Sequence, residues 1–369
     1  MARRPSSATY ARRRLLALLG LITAVVVVVV LLASGGGGGH PRVAARARSR
    51  SGSARRSGGQ KPTRPAPAPG LSLAGIPVGR WTTQPDAPSS RGEVSAALVG
   101  DVAYIVGGFD TTGHTTAKVE RLNLRTGRWG TSAPLPEPLN HMNSVSYGGQ
   151  LYVVGGYSQT GDTSAGAVRN FWRFDPATGH WTAMPPAPMP RAAAGAAVLG
   201  HRLYVAGGRN DALTTISTLA IFDFDTGKWS LGPPLHHARE HVAGVAADGA
   251  VWILGGRAVG VGNFTDVERY QPGAAAWQRM APMPVARSGF QAVEVNGKIV
   301  TVGGENATTM VGEVDALDPA TGRWSRLPDL PIPRHGLGLV ADGSLLFAIE
   351  GGPQPGLTMS PVVERLRVP

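Results

Sequence analysis

The sequence predicts an all-β fold in which six four-stranded antiparallel sheets close into a ring, a six-bladed β-propeller. Three observations carry this expectation. The dipeptide Gly-Gly recurs at Gly107/Gly108, Gly155/Gly156, Gly207/Gly208, Gly255/Gly256, Gly303/Gly304 and Gly351/Gly352, at intervals of 48 residues with a single interval of 52. A tryptophan returns in step, at Trp81, Trp129, Trp181, Trp229, Trp277 and Trp324. Turn signals divide each interval at the same two places. A period near 50 residues, with short apolar runs closed by glycine, marks a radial β-repeat.

Each module reads as four strands, a to d. Strand a precedes a two-residue turn at Gly100-Asp101, Gly148-Gly149, Gly200-His201, Asp248-Gly249, Asn296-Gly297 or Asp342-Gly343. These residue types accept the positive φ of primed hairpin turns. Strand b ends at Gly-Gly, as in Tyr104-Ile105-Val106, and strand c is of the type Val119-Glu120-Arg121-Leu122 or Val267-Glu268-Arg269-Tyr270. A second turn, Asp175-Pro176-Ala177-Thr178-Gly179 or Asp318-Pro319-Ala320-Thr321-Gly322, feeds the Trp of strand d. Proline fixes φ there and glycine takes a positive φ. The last module stops after Val363-Glu364-Arg365-Leu366 with no Trp strand. Trp81 supplies it, so an N-terminal outer strand completes the last blade, closes the ring and removes an exposed sheet edge. In that module Asp342 and Gly351 lie nine residues apart, against seven elsewhere. Either a bulge pushes Glu350 toward the channel or the terminal blade has drifted.

In these features the chain resembles the kelch-repeat β-propellers from residue 79 to the C-terminus, and in repeat type it is similar to the sialic-acid mutarotases. The glycine pairs and tryptophans read as structural: glycine permits close approach of blades and tryptophan buries apolar area between them.

Four regions follow: residues 1–14, a basic cytoplasmic leader; 15–33, a transmembrane signal anchor; 34–78, a disordered basic and Pro-rich linker; and 79–369, the propeller. Leu15 to Ala33 carries no charge and is long enough to span nearly all of a ~30 Å hydrocarbon core. The basic leader is expected to place the propeller outside the cytoplasm on a single-pass anchor, while Arg42, Arg46, Arg48 and Arg50 on the far side weaken that bias and keep the cytoplasmic-facing orientation as an alternative. Cleavage near Ser34, giving a secreted protein, is the alternative. The net charge of +12 belongs to the tail: residues 1–79 hold 13 Lys and Arg and no acid, and the remainder holds 23 basic and 24 acidic residues. The propeller therefore shows no basic footprint for nucleic acid. With no cysteine in the chain, disulfides, thiolate metal sites and Cys–Tyr-linked copper chemistry are excluded.

The longer d–a and b–c connections share one face, which is where a ligand is expected. Ten residues after each Trp stands an arginine, Arg91, Arg191, Arg239, Arg287 and Arg334, with Leu139 the exception. Kelch domains that resemble this one use such loop arginines to hold acidic ligands, and planar bidentate donors suit a carboxylate. The alternative is that each arginine braces the neighbouring blade. Residues that vary against the repeat complete the predicted rim: Glu93, Asn140, His141, Glu240, His241 and His335 after the arginine position, and Phe109, Tyr157, Arg209, Arg257 and Glu305 after Gly-Gly. His236, His237 and His241 form a local cluster whose spacing matches no standard ligand motif, and neither a metal nor a cofactor is assigned.

The reading that results is a monomeric, membrane-anchored, non-catalytic module binding a glycan, peptide or protein partner, anionic in the case of an arginine rim. The alternative is an isomerase similar to the sialic-acid mutarotases, acting on an acidic sugar, with Glu240 and His241 as the residues for proton transfer.

Overall fold

The computed structural model describes residues 75–158 and 166–369. The expected leader, anchor, cleavage site and nearly all of the linker lie outside these residues. Among the described residues no helix is long and apolar enough to cross a membrane.

Six four-stranded antiparallel sheets form. Blade 1 runs through Ser95–Val99, Val102–Val106, Val119–Asn123 and Arg128–Thr131; blade 2 through Asn143–Tyr147, Gln150–Val154, Phe171–Asp175 and His180–Ala183. Blade 3 is Gly195–Leu199, Arg202–Ala206, Leu219–Asp223 and Lys228–Gly232; blade 4 is Ala243–Ala247, Ala250–Leu254, Val267–Tyr270 and Gln278–Arg279; blade 5 is Gln291–Val295, Lys298–Val302, Val314–Asp318 and Arg323–Leu327. Blade 6 takes Gly338–Asp342, Leu345–Ile349 and Val363–Arg367 from the C-terminus and Trp81–Thr83 from the start of the domain. The a strands line the axis and enclose a channel of about 330 Å³.

The c–d turns show why their sequence recurs. Asp318 Oδ1 accepts from the amides of Ala320 and Thr321 at 2.9 and 3.2 Å, and Gly322 turns the chain at φ 69°. Asp175 and Asp223 close equivalent Asx turns, and Asn123 does the same with an amide oxygen.

The glycine pair sets the spacing between blades. At Gly155, φ is 67° and an added Cβ would lie 2.3 Å from the carbonyl oxygen of Arg191 in the next blade. The amide of the following glycine, Gly156, donates to that same carbonyl at 2.9 Å. This contact repeats around the ring, and the last blade makes it from Gly351 to the carbonyl of Arg91.

That contact corrects the reading of the last module. Gly351 occupies the second glycine's place and Glu350, at φ 59°, the first. The turn lies at Gly343-Ser344, with no bulge and no push into the channel. Glu350 is fully buried beside Arg91, its Oε1 3.3 Å from the guanidinium, which also holds Glu120 at 3.2 Å. Burial pushes Glu350 up to about 8: Arg91 lowers it and Glu120 adds to the rise.

Closure is as the sequence predicts. Trp81 pairs with Leu366, Thr82 with Arg365 and Thr83 with Glu364. The Trp81 indole packs in one cluster with Leu330, Leu337, Leu346 and Leu366, joining blades 5 and 6. Its Nε1 donates to the carbonyl of Pro328 at 2.8 Å, in the preceding blade. Trp181, Trp229, Trp277 and Trp324 make the same kind of bond backwards to Ala133, Pro185, Pro233 and Ala281.

Trp81→Ala is expected to cost about 3–5 kcal/mol, as for other buried large-to-small changes, read from the urea midpoint. Glu350 gives a pH signature. Its folded value exceeds the ordinary value of 4.5, so its contribution to stability is fully present below that pH and is lost as pH rises through about 8. Glu350→Gln is expected to flatten the stability profile across this window; an unchanged slope would assign it to other groups.

Candidate functional site

The five arginines do not form a rim. Arg91, Arg191, Arg239, Arg287 and Arg334 are at most 1% exposed and point between sheets. Arg91 pairs with Glu120, Arg239 with Glu268 at 3.0 Å, Arg287 with Asp315 at 2.7 Å, and Arg334 with Glu364. Each also donates to backbone carbonyls in or beside the strands, as Arg91 does to Gly107 and Arg334 to Ala348 and Glu350. Guanidiniums so enclosed are turned to the sheets and not to the loop face, which is the bracing arrangement.

The exceptions follow the same logic. In four blades the partner acid stands on strand c, opposite the penultimate b residue. In blade 2 that position is Trp172 and the arginine is Leu139, so both charges go together. In blade 3 it is Ala220. Arg191 there has no carboxylate and bonds to the Thr218 hydroxyl and to carbonyls of Val205, Gly207 and Thr218. Burial lowers it to about 10.

The site lies two residues further along. There the chain turns inward to begin strand a, and Glu93, His141, Ala193, His241, Gly289 and Gly336 all take left-handed φ between 51° and 65°. They bond to one another around the axis. The amide of His141 donates to the carbonyl of Glu93, Ala193 to His141, His241 to Ala193, Gly289 to His241 and Gly336 to Gly289; Val94 donates to Gly336 and closes the circle, all at 2.7–3.2 Å. This backbone collar narrows the channel at its loop end. Gly336 must be glycine, since an added Cβ would lie 2.6–2.7 Å from Glu93.

The collar gathers side chains from distant parts of the sequence. Glu93 Oε2 lies 3.2 Å from His141 Nε2 and Oε1 lies 3.3 Å from His335 Nε2. The imidazoles of His141 and His241 meet edge to face at 4.8 Å. Phe109 and Tyr157 pack on His141 at 6.0 and 5.4 Å, and Asn140 Oδ1 holds His141 Nδ1 at 2.6 Å. Half-buried Arg257 bridges Glu305 at 2.7 Å and Glu240 at 3.3 Å, and its Nη2 lies 3.3 Å from His241 Nε2. Arg209 stands 4.0 Å from Glu240. Of the predicted residues, therefore, His141, Glu240, His241, Arg209, Arg257, Glu305 and His335 do come together, around Glu93.

Charge is divided unevenly here. Burial pushes Glu93 up, but His141, His335 and His241 together draw it well below the usual carboxylate range. Burial pulls His141 down to about 4 against the pull of Glu93. For His335 burial is outweighed by Glu93 and Glu305, and the group rises. Burial raises Glu240, but His241, Arg257 and Arg209 bring it to about 2.

The His236–His237–His241 cluster does not form. His236 pairs with Glu268 and His237 with Asp266, while His241 turns to the axis. Ligand-capable atoms of Glu93, His141 and His241 instead lie within 4.8 Å of one another.

A family model for the KLHDC2/KLHL20/DRC7 Kelch-repeats domain matches residues 78–235, and a Kelch motif model matches residues 286–331. The chain belongs to the kelch-repeat propellers. A solved structure described as "Structure of YjhT" is similar to this kelch propeller with a TM-score of 0.65 at 19% identity, over 76% of this chain and 95% of that one, a likeness of fold. No curated protein matches the sequence.

The arginine braces are separable by mutation. Arg334→Leu strands buried Glu364 and is expected to cost about 3–5 kcal/mol. Arg191→Leu strands no carboxylate and repeats what Leu139 does in blade 2, so its cost in urea unfolding is expected to be markedly smaller.

Proposed function

We propose that this kelch propeller is a recognition module that holds a small polar ligand, a glycan or a peptide end, over the collar on its d–a/b–c face. The observation that carries this reading is a set of buried polar atoms at the mouth that no protein group satisfies: Glu240 Oε2, His241 Nδ1 and His335 Nδ1. Buried polar atoms are ordinarily paired. Ligand hydroxyls both donate and accept, and would satisfy all three. Arg257, steadied by Glu240 and Glu305, stands over the same opening and suits a ligand carboxylate. The basic leader and the apolar segment 15–33 support a place outside the cytoplasm on a membrane tether.

A second reading has a geometric basis of its own. Two imidazoles flank the two oxygens of Glu93, at 3.2 and 3.3 Å. Opening a sugar hemiacetal moves one proton from the anomeric hydroxyl to a base while an acid protonates the ring oxygen, and such a cluster can do both.

The domain from Gly75 onward, on a glycan array and in anomer-exchange NMR with an acidic sugar, separates the readings. Retained glycans should bind roughly 10- to 100-fold more weakly after Arg257→Ala or Glu240→Gln. Affinity indifferent to both changes would remove this face as the site. Anomer exchange accelerated by the protein and lost in Glu93→Gln would favour the isomerase.

A further inference from the structure

We infer that the collar is a binding site for a divalent transition-metal ion of the Zn²⁺ or Fe²⁺ class, with Glu93, His141 and His241 as its ligands. The site adds to the recognition reading and does not depend on it.

The donor set comes first. One oxygen of Glu93 and one ring nitrogen from each histidine lie within 4.8 Å of one another, and the Glu93–His141 pair is already at 3.2 Å. Ligands about 2.0–2.2 Å from a tetrahedral ion stand roughly 3.4 Å apart. Binding an ion requires the side chains to rotate and close the remaining gap. Two histidines and one carboxylate suit borderline divalent ions and leave coordination positions open.

A cavity supports the placement. Glu93, His141 and His241 line one space of about 40 Å³ at the axis. One water needs roughly 10–15 Å³ of such space, so a small ion with a coordinated water can be accommodated there.

The outer partners orient the ligands. Asn140 Oδ1 accepts from Nδ1 of His141 at 2.6 Å, and the Asn140 amide nitrogen is turned to the Thr115 hydroxyl at 2.8 Å. His141 therefore presents the lone pair of Nε2 toward Glu93. Nδ1 of His241 makes no hydrogen bond, Glu240 Oε1 being 3.6 Å away, and His335 meets Glu93 Oε1, leaving Oε2 for an ion. A carboxylate or amide oxygen behind the ring, as Asn140 stands behind His141, is the usual support of a metal-binding imidazole.

Backbone strain at the collar falls on these three residues and on Ala193. Glu93, His141 and His241 hold left-handed φ of 51–52°, where blades 5 and 6 use glycine. Such conformations cost free energy for residues with a Cβ and cluster at functional sites. The opposing contact is Arg257, whose Nη2 lies 3.3 Å from His241 Nε2. An ion displaces that one contact, and Glu240 and Glu305 retain the guanidinium.

The test uses the full chain, purified in detergent without a polyhistidine tag and stripped with a chelator. Zn²⁺ titrated by calorimetry should bind one ion per chain, and Co²⁺ should develop visible d–d bands. Glu93→Gln and His241→Ala should each weaken Zn²⁺ by at least roughly 100-fold, and His335→Gln by about 10- to 100-fold. His237→Ala, on a surface histidine paired with Asp266, should leave binding unchanged. Thermal melts without metal check that each variant folds. Wild-type chain that binds neither ion, or a folded Glu93→Gln, His241→Ala double variant that binds as wild type does, overturns the proposal. Metal binding without glycan binding would sink the recognition reading alone.

Discussion

The spacing between neighbouring blades rests on one backbone contact: the glycine corner of one sheet presses on the carbonyl at the arginine position of the next. An amide donates to that oxygen, and the absence of a Cβ lets it come close. Because the carbonyl belongs to the segment that then turns inward, the contact also fixes where the following residues go. The arginine side chain is drawn into the interior and finds strand carbonyls and an acid on strand c. Two residues later the backbone reaches the axis and enters the collar. Sheet packing, buried ion pairs and the central cluster thus descend from a single geometric condition repeated six times.

The arginines show how a periodic polar residue can serve the fold. A buried charge without a partner is costly, and a paired one roughly balances its own desolvation. Blade 2 removes both members, with Leu139 and Trp172 in their places, and keeps the same backbone contact from Gly108. Their removal together marks the pair as one interchangeable bracing unit. Arg91 is the elaborated case, holding one acid from its own blade and a second, Glu350, from the blade that closes the ring.

The architecture was legible because each of its signals has a local cause. Asx turns need Asp or Asn followed by glycine, primed turns need residues tolerant of positive φ, and the missing last Trp strand pointed to Trp81. The register of blade 6 was not legible, since Glu350 stands in a glycine's place and the eye follows the Gly-Gly pair. The arginine spacing was legible and its direction was not; the acid 28 to 30 residues after Arg91, Arg239, Arg287 and Arg334 is the signal that marks them as braces. Of the site, the sequence marks Glu93, His141, His241 and His335 as departures from the repeat. It carries no sign that Glu93, His141 and Ala193 adopt a conformation usually left to glycine, because tertiary bonding around the axis imposes it.

Glu93, His141, His241 and His335 enter the central cluster from blades 1, 2, 4 and 6, one from each. Its geometry is consequently a property of the entire circle. If the Trp81 strand peels from Val363–Arg367, the two ends of the domain are freed to spread, and Glu93 and His335, which face each other across that seam, part first. The shape of the central cluster thus depends on the circle being shut, and a nick near residue 80 would be felt at the axis.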